Sequence, residues 1–283
     1  VTGWTGADML DQSGRTVVVT GANSGIGAVT AAELSRHGAH VVLACRDTAK
    51  GDAAAARMTG DVEVRALDLS DLASVRAFAA DLGPVDVLVN NAGVMATPLR
   101  RTAQGFELQI GTNHLGPFLL TSLLEVRDRV VTVSSAGHRL GRIDLADLNW
   151  ERRRYGRWRA YGQSKLANLL FTYELQRRHE AGRAVPQAFA AHPGYAKTGL
   201  TRNLGIIRPV VAIADNVIGQ SAEHGALPTL YAATMDLPGG AYVGPDGPGE
   251  QRGYPRLVSS NGASHDVATA RALWSLSADL VGV

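Results

Sequence analysis

Residues 15–39 read RTVVVTGANSGIGAVTAAELSRHGA, and this stretch constrains the fold more than any other. A β-branched run passes through a glycine-rich turn into a segment with helical spacing, the pattern of a buried strand feeding a helix. Gly21, Gly25 and Gly27 would let the backbone turn tightly and approach a pyrophosphate, whose charge the amides and dipole at the helix start would meet. The spacing is Gly-x-x-x-Gly-x-Gly, which differs from the Gly-x-Gly-x-x-Gly dinucleotide fingerprint. An ordinary strand-to-helix turn needs only one glycine, so the cluster points to a ligand.

HVVLACRD, VEVRALDLSD, PVDVLVNNAG and RVVTVSSAG read as the second to fifth strands, with helical stretches between most of them. Short β-branched runs alternating with helices predict an α/β fold, a doubly wound parallel sheet with helices on both faces. Ligands in such sheets collect at the carboxyl ends of the strands, where Thr20, Arg46, Asp68, Asn90, Asn91, Ser134 and Ser135 fall. At 283 residues and 45% hydrophobic, with no linker or repeat, residues 1–283 are expected to form one domain behind a polar leader, 1–13. The net charge of +2 implies no nucleic-acid partner, and the basic run from Arg152 to Arg159 is short enough to be a solvated loop. Its Tyr155 and Trp158 leave contact with a substrate or a partner subunit open.

Tyr161 and Lys165 stand one helical turn apart in RAYGQSKLANLLFTYEL, which reads as an amphipathic helix. An unperturbed phenol titrates near about 10, and a cation held beside it favours the phenolate, so the pair suits acid–base chemistry. Spacing alone does not single it out, since Tyr155 precedes Arg159 and Tyr173 precedes Arg177 at the same interval.

Taken in order, Thr20-Gly21-x-x-x-Gly25-Ile26-Gly27, Asn90-Asn91-Ala92-Gly93, Asn113, Ser135, Tyr161-x-x-x-Lys165 and Pro193-Gly194 resemble the short-chain dehydrogenases/reductases over nearly the whole chain. TNHLGPFLLTSLL, AYGQSKLANLLFTYEL and HPG are most similar to the branch holding retinol dehydrogenases, the WW-domain oxidoreductase and protochlorophyllide reductase. The resemblance implies a Rossmann-like fold and hydride transfer between a nicotinamide cofactor and a carbonyl or alcohol. Tyr161 would then be the general acid or base, and Lys165 would lower its pKa and hold the cofactor's ribose. A guanidinium fits that task poorly, which argues against Tyr155 and Tyr173. Ser135 would hydrogen-bond the substrate oxygen, with Ser134 as its rival; alternation along the strand lets only one of them face the site. Asn113 resembles the family asparagine that interrupts a helix and holds a water linking the lysine to solvent.

The same resemblance assigns cofactor contacts to Gly21, Ser24, Gly25, Ile26, Gly27, Asp68, Leu69, Asn90, Ala92, Gly93, Tyr161, Lys165, Pro193, Gly194 and Thr198. Asp68 could instead begin a helix, and Thr198 could be a cap. Where an NAD-selective site places a carboxylate at the end of the second strand, this chain has Cys45, followed by Arg46, whose fork suits the 2′-phosphate of NADP(H). Asp47 is the competing ribose ligand, although its position suits a helix cap. NADP(H) is therefore expected over NAD(H). Lone His114, His138 and His192 with one cysteine imply no metal site.

Further expectations follow. One cysteine rules out an intrachain disulfide, and no apolar run is long enough for a signal peptide or a membrane span, so a cytoplasmic protein without a membrane partner is expected. Residues 195–220 are expected to form a lid, lined by Ile206, Ile207, Val210 and Val211, over an apolar substrate. The resemblance implies a homodimer or homotetramer paired through the helices of Asn113 and Tyr161, although the connection before the fifth strand is short for the family. The competing functions are a catalytically idle NADP(H)-sensing or scaffold protein, which would not need Ser135, Tyr161 and Lys165 together, and a sugar-nucleotide epimerase or dehydratase, whose larger substrate domain has little room here.

Overall fold

The computed structural model of the chain describes residues 3–195 and 220–283. Thr198 and the apolar residues of the expected lid lie outside the described residues. The first half alternates as the sequence predicts: β1 (Thr16–Thr20), α1 (Gly25–Arg36), β2 (His40–Cys45), α2 (Thr48–Ala55), β3 (Val62–Ala66), α3 (Leu72–Ala80) and β4 (Val85–Asn90). A longer helical stretch follows, α4 (Leu108–Ile110), a π-helical segment (Gly111–Leu115) and α5 (Gly116–Leu123), and runs almost directly into β5 (Val126–Val133). Next come α6 (Arg157–Glu180) and β6 (Gln187–Ala191), then α7 (Ala222–Thr234), β7 (Tyr242–Pro245), β8 (Pro255–Leu257) and α8 (Val267–Val281).

These strands form one sheet in the order β3-β2-β1-β4-β5-β6-β7-β8, parallel except for β8, which pairs antiparallel with β7. The order reverses between β1 and β4, the switch point at which open α/β sheets carry a ligand crevice beyond the carboxyl ends of the strands. Side-chain alternation builds the two layers. Val17 and Val19 of β1 pack with Leu34 of α1 and Leu230 of α7 on one face, while Val18 packs with Phe78, Phe118 and Phe171 on the other.

The helix α8 changes the expected exterior. Its Trp274 stacks on Phe171 of α6 at 5.6 Å and meets Phe118 of α5 edge-on at 4.9 Å. Its Ser277 hydroxyl lies 2.9 Å from His114 Nε2, and Ala270 and Leu273 cluster with Leu166 and Leu170 of α6. Residues 160–176 of α6 are consequently buried on every side, where the sequence predicted an amphipathic helix. The same cover lies over the helices expected to pair two subunits. Burial holds the His114 imidazole down to about 3, so it stays neutral in this contact. No helix among the described residues is long and apolar enough to cross a membrane.

Candidate active site

Thr20 at the end of β1 ties the first two loops of the crevice together. Its hydroxyl accepts from the backbone amides of Asn91 and Ala92, each at 3.0 Å, while Asn91 Nδ2 donates to the Thr20 carbonyl at 2.8 Å. Gly21 follows with φ +68°, and a Cβ there would lie 3.0 Å from the Ala92 Cα, so both the turn and the close approach call for glycine. Gly93 stands at the centre: a Cβ on it would lie 3.1 Å from Asn113 Oδ1 and 3.6 Å from Lys165 Nζ.

The four residues read as catalytic converge around this point. Ser134 and Ser135 diverge as alternation requires. Ser134 Oγ donates to the Lys165 carbonyl at 2.9 Å, whereas the Ser135 hydroxyl lies beside the Tyr161 ring and accepts from Gly137 N at 3.1 Å. Burial raises the Tyr161 phenol, and the Ser135 hydroxyl beside it partly offsets that rise. Lys165 Nζ donates to the Val133 carbonyl at 2.9 Å and lies 5.9 Å from the centre of the Tyr161 ring. Burial brings the Lys165 ammonium down to about 8, which leaves most of it charged at neutral pH. Asn113 sits in the π-helical segment, so the interruption expected of its helix is present. Its side chain exchanges hydrogen bonds with both backbone groups of Val94, at 2.8 and 2.9 Å, and donates to Ser164 Oγ at 2.9 Å. Both Nδ2 donors are used, which leaves one acceptor site on Oδ1 and the main chain for a bound water.

The other tyrosines are committed elsewhere. The Tyr155 hydroxyl donates to the fully buried Glu107 at 2.9 Å and accepts from Gln109 Nε2 at 2.9 Å, and burial, with Glu107 beside it, pushes the phenol up to about 12. Tyr173 pairs with Ser260 at 2.8 Å and stacks on His265. In the basic run, Arg152, Arg154, Arg157 and Arg159 are exposed as expected, but Arg153 is half-buried, 3.4 Å from Asp147 and 3.8 Å from the centre of the Trp150 ring.

The residues assigned to the cofactor fit a nucleotide unequally. Ser24 precedes α1 without capping it, while Asp47, Asp71, Ser221 and Asp266 cap α2, α3, α7 and α8 with their side chains. The first amides of α1, from Gly25, Ile26 and Gly27, are thus free of a side-chain cap and suited to a pyrophosphate. Asn90 donates to Thr121 Oγ1 at 3.1 Å, and its buried Oδ1 has no partner, an acceptor that a ligand amide would satisfy. Arg46 is exposed and makes no hydrogen bond or ion pair among the described residues. Its rival Asp47 accepts from Lys50 N at 3.1 Å and pairs with the Lys50 ammonium, so it serves α2. Cys45 is buried and its thiol is pushed up to about 11, which keeps it neutral. Asp68 closes a turn on Ser70, accepting from N at 2.9 Å and from Oγ at 2.6 Å; Asp71, not Asp68, caps α3. Leu69 turns its side chain into the core, leaving its backbone for any contact. Pro193 and Gly194 follow β6, and Gly194 lies against the Gln251 carbonyl in the loop between β7 and β8.

Comparison with known proteins adds a second line of evidence. Residues 15–206 match the family described as short chain dehydrogenase. Human retinol dehydrogenase 13 is 42% identical over 295 residues, covering 95% of this chain and 85% of its own. A crystal structure of an uncharacterized protein from Mycobacterium Paratuberculosis aligns with a TM-score of 0.88 at 54% identity, covering 100% of this chain and 98% of that one. A structure described as an NAD(P) dependent gluconate 5-dehydrogenase from Beutenbergia cavernae, with bound NADP, aligns with a TM-score of 0.61 at 28% identity, covering 79% of this chain and 91% of that one.

Proposed function

The chain belongs to the short chain dehydrogenase family, and on that premise we propose that it transfers hydride between NADP(H) and an apolar carbonyl or alcohol. The observation that carries this reading is the Ser135 hydroxyl set beside the buried Tyr161 phenol, with the buried Lys165 ammonium one helical turn on. A bound nicotinamide would supply or accept the hydride. In the reducing direction Tyr161, kept protonated by burial, gives its proton to the substrate oxygen while the Ser135 hydroxyl donates to the same atom. Lys165 uses one of its three ammonium donors on Val133, which leaves two for the cofactor's ribose hydroxyls. Its charge also eases proton loss from the phenol.

The cofactor would lie from Arg46, across the uncapped start of α1, past Asn90, Ala92 and Gly93, to Pro193 and Gly194. The free guanidinium of Arg46 and the commitment of Asp47 to Lys50 support NADP(H) over NAD(H). The name of human retinol dehydrogenase 13 favours an isoprenoid-like or other apolar substrate. The buried, neutral Cys45 is compatible with a cytoplasmic location. Because α8 covers α5 and α6, the homodimer or homotetramer expected from the sequence would need another face, and a monomer is the reading we favour. The test is a panel of carbonyls and alcohols that includes retinaldehyde, followed by NADPH absorbance. Turnover of at least one apolar carbonyl supports the reading; NADPH binding without turnover across the panel would favour an idle sensor.

A further inference from the structure

His192, immediately before Pro193-Gly194, is 1% exposed, and both of its ring nitrogens are directed. Nδ1 accepts from the Gly194 amide at 3.3 Å, so the ring proton must sit on Nε2, which lies 3.2 Å from Glu250 Oε2 in a close but poorly aligned contact. The ring has no freedom to leave. Tyr242 packs against it at 5.1 Å, and a Cβ on Gly244 would fall 2.1 Å from Nε2. Burial brings the imidazole down to about 4, which keeps it neutral and Nδ1 an acceptor in neutral solution.

Glu250 reaches this ring from an unusual backbone. It has φ +58°, in the left-handed region that a residue with a side chain seldom adopts, directly after Gly249 at φ +62°. The carboxylate also lies 3.3 Å from Arg139, in the turn that follows Ser135. The next residue, Gln251, accepts the Tyr195 amide at 2.8 Å, and its carbonyl would be 2.4 Å from a Cβ on Gly194. One acidic side chain thus touches both the turn after Ser135 and the histidine that holds Pro193-Gly194.

We propose that Glu250 is a positioning residue: by orienting His192 it fixes the Pro193-Gly194 turn against which the nicotinamide end of the cofactor binds. This rests on the dehydrogenase reading given above. Glutamate without such a role would be replaceable by glycine, which suits the backbone better.

The test is fluorescence titration of wild type, Glu250→Gly and Glu250→Gln with NADPH and with adenosine 2′,5′-bisphosphate, which carries only the adenosine end, alongside thermal melting. Glu250→Gly should melt no lower than wild type and bind NADPH about tenfold more weakly, the size of one hydrogen bond, with the bisphosphate changed by less than about twofold. Glu250→Gln should recover most of the loss, because its amide oxygen can occupy the same place beside Nε2. Unchanged NADPH affinity in Glu250→Gly, equal losses for both ligands, or no recovery in Glu250→Gln would overturn the positioning role. A wild-type protein that binds no NADPH would overturn the dehydrogenase reading and this inference with it.

Discussion

Replacing Arg46 with alanine should separate the two nicotinamide cofactors. The guanidinium stands exposed at the end of β2 and makes no hydrogen bond or ion pair among the described residues, so its removal breaks no internal contact. Stability should therefore stay within about 0.5 kcal/mol of wild type, the usual range for a surface change. A hydrogen bond to a charged group contributes about 1.5–3 kcal/mol, which corresponds to roughly 10–150-fold in affinity. Because Arg46 is open to solvent, screening places the expected NADPH loss in the lower part of that range, and the loss should shrink as salt is raised. NADH carries no 2′-phosphate, so its affinity should hardly move. Asp47 is held by Lys50 and by the start of α2, which leaves it poorly placed to rescue NADH binding in the variant. Cofactor fluorescence titrated at low and high salt decides the matter. Equal losses for both cofactors, or tighter NADH than NADPH binding by wild type, would refute the reasoning.

Two further outcomes follow from burial. Lys165 is charged below about 8, so carbonyl reduction measured as kcat/KM should be flat towards neutral pH and fall above about pH 8 as the ammonium is lost; a rate still rising through pH 9 would contradict that role. Light scattering at micromolar concentration should give the mass of one chain, because Trp274, Leu273 and Ala270 already cover the face through which α5 and α6 would pair; a stable dimer would require a different interface.

Much of the site was legible in the sequence because its chemistry coincides with strong local signals. Val17 to Val19 mark a strand, the glycines mark the turn after it, and alternation alone predicts that Ser134 and Ser135 face opposite ways, as their partners show. β6 was harder to read, since QAFAA lacks the β-branched run that marks the earlier strands. The cover provided by α8 could not be read either, because an apolar stripe shows that a helix packs without showing on what. Tyr155 was set aside from the nature of its arginine neighbour; the structure supplies the more direct cause, burial together with a buried carboxylate that accepts its hydrogen bond, which hold the phenol up. Glu250 carries no sequence signal at all. Its place depends on a left-handed backbone and on His192 and Arg139, which lie far from it along the chain.

The most direct test of the account is Tyr161→Phe, assayed by NADPH absorbance on an apolar carbonyl that the wild-type protein reduces. The substitution removes only the phenolic oxygen, and the ring can still pack between Gly137 and the edge of Trp158. Turnover should fall by about two to four orders of magnitude, the scale of general acid catalysis, while NADPH affinity stays within about twofold of wild type. Wild-type turnover in Tyr161→Phe would contradict the assignment of the catalytic acid.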